Sequence, residues 1–167
     1  MMKRLIMALG ILSMALVLHA QKFGHVSSDV LVQAMPEYDS ALVKLEELRT
    51  HYGDEIERIQ VEINNKIEDF NNGEATMSDL IKEAKASEIQ ELQVRLQNYS
   101  QTAQQEMQQR QMRLMQPIMD KARNAIEAVA KEKGLIYVFD ISQGNPIYTS
   151  PESLDVMPLV KAKLGIQ

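Results

Sequence analysis

His51 and Glu55 stand four residues apart in a segment with helical apolar spacing, so a helix would set an imidazole beside a carboxylate. That is how two metal ligands are brought together, but a metal site needs a third, and none follows at a matching spacing. The pair therefore reads as a helix-surface contact. His25 is the only other histidine beyond the first 20 residues. Asp140 ends the apolar run "LIYVFDI" and has the chemistry of a general acid, yet no second acid or base lies at a telling distance along the chain. A hydrogen-bonding role at a strand end fits it better. The chain has no cysteine, no glycine-rich phosphate loop and no nucleophile elbow. These absences argue against an enzyme and leave no cofactor or metal to assign.

The chemistry that remains is amide and thioether. Between Gln97 and Gln116 the sequence carries eight glutamines, and Met107, Met112, Met115 and Met119 fall in or just past that window. Glutamine forms helix well and carries no charge. One reading is a solvated helix face. The functional one is a low-charge wall on which an unfolded chain slides without sticking, with Gln97, Gln101, Gln104, Gln105, Gln108, Tyr99 and Met107 as client contacts.

Two long helices must present these residues. From Pro36, well suited to a first helical turn, apolar residues recur at Leu45, Leu48, Tyr52, Ile56, Ile59, Ile63, Ile67 and Phe70. Spacings of 3 and 4 make a narrow stripe. Asn71-Asn72-Gly73 predicts a stop through a left-handed residue, and Thr76 or Ser78 an N-cap for a second helix reaching Lys133 before Gly134. At about 1.5 Å per residue these helices span about 50 and about 84 Å, too long to bury in a globule of 167 residues. The pattern predicts an antiparallel hairpin. Gly53, inside the first helix, is a candidate hinge.

Along the second helix, Leu92, Leu96, Tyr99, Ala103 and Met107 keep to a band about 60–80° wide at about 100° per residue. Past Met112 the face about doubles in width, as Met112, Met115, Met119 and Ile126 join Leu114, Ile118, Ala122, Ala125 and Val129. A β body or neighbouring subunits must cover the added half. Pro117 lies in that wider part, and its missing N–H and its ring are expected to bend the helix where the arm leaves the body.

Strand signals flank the hairpin. "KFGHVS" reads as a strand and "SDVLVQAM" as a helical turn. Leu135–Ile141 reads as a strand buried on both faces, "PIYTS" as a further strand, and Asp155 as the start of a short helix ending near Leu164. The expected fold is α+β and mostly α: a coiled-coil arm, residues 37–72 and 77–133, projecting from a small β body formed by both chain ends, residues 21–36 and 134–167. Body or trimer packing falls to Phe23, Val26, Met112, Met115, Pro117, Ile118, Met119, Ile136, Val138, Phe139 and Ile147.

Lys3 and Arg4 followed by an apolar run from Leu5 to Leu18 have the layout of a secretory signal peptide, cut near Ala20. The run is short for a membrane span. Removing residues 1–20 leaves 16 basic against 23 acidic residues, a net charge of −7. Nucleic acid and anionic membrane surfaces are poor partners for that charge. An exported chain without cysteine must draw stability from packing or oligomerisation rather than disulfides.

The block "LMQPIMDKARNAIEAVAKEKGLIYVFDIS", with Pro117-Ile118, Ala128-Val129, Gly134 and Asp140, and the ending "PIYTSPESLDVMPLVKAKL" resemble the Skp/OmpH periplasmic chaperones. The resemblance extends over residues 21–167 as one chaperone domain. It implies a homotrimer whose joined bodies complete a β-barrel, with a cavity between the arms that holds unfolded outer-membrane proteins in the periplasm without ATP. The acidic turn region, with Glu68, Asp69, Glu74 and Asp79, departs from the basic tips usual in the family and argues against membrane contact. The alternative from another class is a structural coiled-coil adaptor of a cell-envelope complex.

Overall fold

The computed structural model describes residues 22–142, 144 and 146–166; the candidate signal peptide, residues 1–20, lies outside them. In chain order the elements are β1 (Phe23–Val26), α1 (Ser28–Gln33), α2 (Pro36–Gly73), a 3-10 turn (Glu74–Thr76), α3 (Asp79–Lys133), β2 (Tyr137–Asp140), β3 (Leu154–Asp155) and α4 (Met157–Leu164). They divide into two compact units. One runs from Val32 to Lys121, and the other joins the chain's two ends, up to Leu31 and from Ala122 onward.

The first unit is the hairpin. Pro36 opens α2 where no helical N–H bond is lost. Ile59 and Ile63 are buried together with Leu92 of α3, and Leu96 and Tyr99 pack against them. The Tyr52 ring meets Tyr99 edge-on at 6.0 Å. Glu37 pairs with Lys121, Glu55 with Arg95 at 3.9 Å and Lys66 with Glu88 at 2.5 Å. Partners later in α2 meet residues earlier in α3, so the helices run antiparallel. Each buried Ile or Leu contributes about 1.5–3 kcal/mol. The exposed ion pairs add little once solvent screens them. The apolar line therefore holds the helices together, and the charges help set their register.

The turn differs from expectation. α2 continues through Asn71 and Asn72 to Gly73, which keeps φ −99°, ψ −10° rather than a left-handed conformation. Residues 74–76 then tighten into a 3-10 turn, and the Thr76 hydroxyl donates to Gly73 O at 3.0 Å. The Met77 side chain folds over Gly73, its terminal methyl filling the space a Cβ would take. Ser78 then precedes α3, and its carbonyl accepts the N–H of Lys82 at 3.0 Å.

The second unit joins the ends. β1 lies between β2 and β3, parallel to both. Gly24 and Val26 face inward and are buried, as are Leu31, Ala122, Ala125, Val129, Val156 and Val160. A Cβ on Gly24 would lie 2.8 Å from Leu135 Cδ1, 3.1 Å from Val156 Cγ1 and 3.3 Å from Leu154 O. α3 ends at Gly134, whose φ of 63° lets Leu135 N–H donate back to Ala130 O at 2.9 Å.

Two strand expectations need correction. Leu135–Ile141 is not covered on both faces: the strand is Tyr137–Asp140, and Ile136, Tyr137 and Phe139 stay exposed. β2 is an edge strand, and among the described residues no second layer lies over its outer face. Pro146–Ser150 forms no strand; Leu154–Asp155 takes that edge instead. Pro146 has no N–H for a ladder, and Ile147 is 99% exposed, with no burial to hold it in register.

Asp140 has the strand-end role read from its position. Its Oδ1 accepts the N–H groups of Ser28 (3.1 Å) and Ser142 (3.0 Å) and the Ser142 hydroxyl (2.5 Å), and Oδ2 accepts the Ser28 hydroxyl. Ser142 Oγ in turn accepts Asp29 N–H at 3.0 Å. The first donors of α1 are thus satisfied from 112 or more residues away. Partial burial would raise the pKa of Asp140, but these hydrogen bonds outweigh it and hold the carboxyl at about 2, below its ordinary 3.8.

Two outcomes follow for this unit. Gly24→Ala should lower stability by about 1–3 kcal/mol through overpacking; a thermal melt matching the parent chain would contradict the account. A carboxyl with a lowered folded-state pKa stabilises the fold above its unfolded pKa and stops doing so as pH falls through the folded one. The stability gap between the parent and Asp140→Asn should therefore be constant above about pH 4 and shrink as pH falls toward 2. Urea unfolding at several pH values measures it, and a gap that widens on acidification would count against this role.

Candidate functional site

The five glutamines read as client contacts, Gln97, Gln101, Gln104, Gln105 and Gln108, are all exposed on α3. Tyr99 and Met107 do not share their face. Tyr99 packs on the Ile59–Leu92 cluster, where burial raises the pKa of its phenol. Met107 is half-buried at the position the 3-and-4 spacing assigns to the seam. Sequence reading placed both in the narrow seam and also counted them with the glutamines, although the helical angle separates the two sets. Val94, exposed and in line with Gln97 and Gln101, was missed. Carrying the same angular layout upstream would have found it.

The packing candidates divide by exposure. Val26 and Ile118 are buried, Met115 and Val138 half-buried, and Phe23, Pro117, Ile136 and Phe139 exposed. Met112 and Met119 remain 59% and 47% exposed, so the added half of the α3 face stays partly open among the described residues. A groove of about 550 Å³ runs beside Pro117 between Pro36, Ala41, Lys44, Leu114 and Ile118. Lys121 bonds Glu37 at its rim and lowers the pKa of that carboxyl. α3 passes unbroken through Pro117.

A second surface lies on the outer face of the sheet, where alternation along β1 puts Phe23 and His25 opposite Gly24 and Val26. Phe23 stacks on Tyr137 at 6.3 Å with planes 10° apart, and Phe139 lies 6.1 Å from both rings. Tyr137 is nevertheless 62% exposed. The His25 ring, at Nδ1, shares a hydrogen bond with the Ser153 hydroxyl at 2.9 Å. Beside them is a cavity of about 430 Å³ lined by Phe23, His25, Phe139, Pro146, Tyr148 and Glu152. Such a surface offers apolar area and stacking to a partner.

The His51–Glu55 pair is not a ligand set. Arg58 clamps Glu55 through Nε at 3.0 Å and Nη2 at 2.6 Å and lowers its pKa, with Arg95 beyond. Among the described residues no group of three or more His, Asp or Glu is arranged to hold a metal ion. Nor is any described helix long and apolar enough to cross a membrane.

A family model, outer membrane protein (OmpH-like), matches residues 22–164. No curated protein matches the sequence. Among solved structures, the fold is similar to that of a Caulobacter crescentus CB15 protein proposed to be an outer membrane chaperone (OmpH-like). The two share 14% identity with a TM-score of 0.76, over 86% of this chain and 83% of the other. At that identity the likeness speaks for the fold. The family match spans nearly everything past the N-terminal 21 residues and coincides with the hairpin and the sheet of joined ends, so this chain belongs to the OmpH-like outer membrane protein family.

Proposed function

We propose that the chain is an ATP-independent holdase of the periplasm, exported by residues 1–20, which associates as a homotrimer and keeps unfolded outer-membrane proteins soluble between the hairpins of three chains. The observation that carries the reading is the hairpin itself, in a member of this family. Its core is one thin line of side chains, and nearly all the remaining surface of two long helices faces solvent. That gives a large contact area without a fixed pocket, which suits many clients better than one. The bare outer face of the sheet, with Phe23, Tyr137 and Phe139, supports association through the joined ends, since exposed contiguous apolar surface marks an interface. Ile147, fully exposed in the single chain, belongs to the same proposed packing. The mature charge of −7 supports clients over anionic membranes as partners.

Purified residues 21–167 should prevent a urea-denatured outer-membrane β-barrel protein from aggregating on dilution, at stoichiometric amounts and without nucleotide. Light scattering should report the mass of three chains. An intact trimer that gives no protection would sink the chaperone reading. A monomer would remove the cavity.

Gly53 extends the proposal to motion. It is exposed in an unbroken α2, and a Cβ there would meet nothing within 4 Å. Gly53→Ala should stabilise the helix by about 1 kcal/mol. If Gly53 is a hinge, spin-label distances between the tip and the root of α2 should narrow as well. Unchanged distributions would leave it as a tolerated surface glycine.

A further inference from the structure

On α3, Val94, Gln97, Gln101, Gln105, Gln108 and Met112 are all exposed and recur at spacings of 3, 4, 4, 3 and 4. At about 100° per residue they occupy one band about 80° wide, on a different side of the helix from Leu92, Leu96 and Tyr99. No Asp, Glu, Lys or Arg enters that band between Gln90 and Met119, a length of about 44 Å. The charges of the same stretch, among them Glu91, Arg95, Glu106 and Arg113, lie on other sides. With 25% of all residues charged, so long a neutral face needs a cause. Solvation alone does not demand it, because a wet face tolerates charge.

Packing against a second helix of this kind is a poor explanation. A coiled-coil seam places apolar side chains at every 3–4 residue step, and here glutamine fills the four places between Val94 and Met112. The amides themselves are available. Gln109 and Gln116 are tied to Arg113 and Asp120, but no hydrogen bond among the described residues engages those of Gln97, Gln101, Gln105 and Gln108. Each offers two donors and an acceptor. That complements the alternating N–H and C=O groups of an extended chain, whatever its sequence.

We infer that this strip is the surface on which the hairpin holds an unfolded polypeptide, bonding the client backbone through the glutamine amides and touching its side chains through Val94 and Met112. The inference rests on the chaperone reading and assigns that function to one face. A neutral strip requires no ion to be desolvated when a client lands and does not select clients by charge sign.

The test uses mature chain carrying a photoreactive phenylalanine analogue at Gln101 or Gln105, with Glu57 and Val61 on α2 as comparison sites. A urea-denatured outer-membrane β-barrel protein is diluted into each and irradiated. Crosslinks should concentrate at Gln101 and Gln105; equal or stronger crosslinking at Glu57 and Val61 overturns the inference, as does crosslinking of the strip to a second copy of this chain. The double variants Gln101→Glu/Gln105→Glu and Gln101→Lys/Gln105→Lys should each weaken client binding about tenfold, with circular dichroism and melting temperature unchanged. If either binds as well as the parent, or the lysine form binds better, the strip is not the client face although the chaperone reading stands. If the parent chain binds no client, both fall.

Discussion

Strand β1 is bonded along both edges by segments that lie more than 100 residues further along the chain. Four residues long, it cannot stand alone, and neither can its partners, one of which has only two residues. Everything else in that unit depends on the ends meeting. Gly24 leaves room for Leu135 and Val156 to close over the strand. Asp140 then bonds the first N–H of α1 from the adjoining strand, and Ser142 bonds the next. Such distant contacts are costly to assemble, because the loop between them must be ordered first. The hairpin reduces that cost, since its antiparallel helices are local structure and fold the intervening chain back on itself.

The hairpin obeys a different economy. Two helices of 38 and 55 residues share one thin line of core side chains, led by Ile59, Ile63 and Leu92. The remaining surface is free to be chosen for something other than stability. On α2 much of it is charged, with ion pairs along and across the helices. On α3 one face carries no charge between Gln90 and Met119. A family resemblance does not distinguish these faces, because coiled-coil pattern is shared widely and surface residues are not constrained by the seam.

What was legible and what was not follow from the range of the interactions. The hairpin was readable because a 3-and-4 apolar spacing has one simple structural solution, a helix with a buried stripe, and Pro36 and Gly134 mark its limits locally. The strands were harder. "LIYVFDI" is apolar on both faces, which sequence reading took as burial on both sides, while among the described residues Ile136, Tyr137 and Phe139 stay exposed. "PIYTS" has strand composition, yet its proline cannot join a ladder, and the less strand-like Leu154–Asp155 pairs because it lies next to β1. Asp140 was recognised as a strand-end group, but its partner Ser28 has no local signature.

The sequence by itself determined the helices, their approximate ends, the charge balance and the family, since each depends on periodicity, local capping or residue identity over a continuous stretch. Only the tertiary structure decided which strand edges pair, how closely Leu135 and Val156 approach Gly24, and that Asp140 and Ser142 cap α1. Those outcomes depend on distances between residues far apart in the chain. Such distances are not written in the order of the residues.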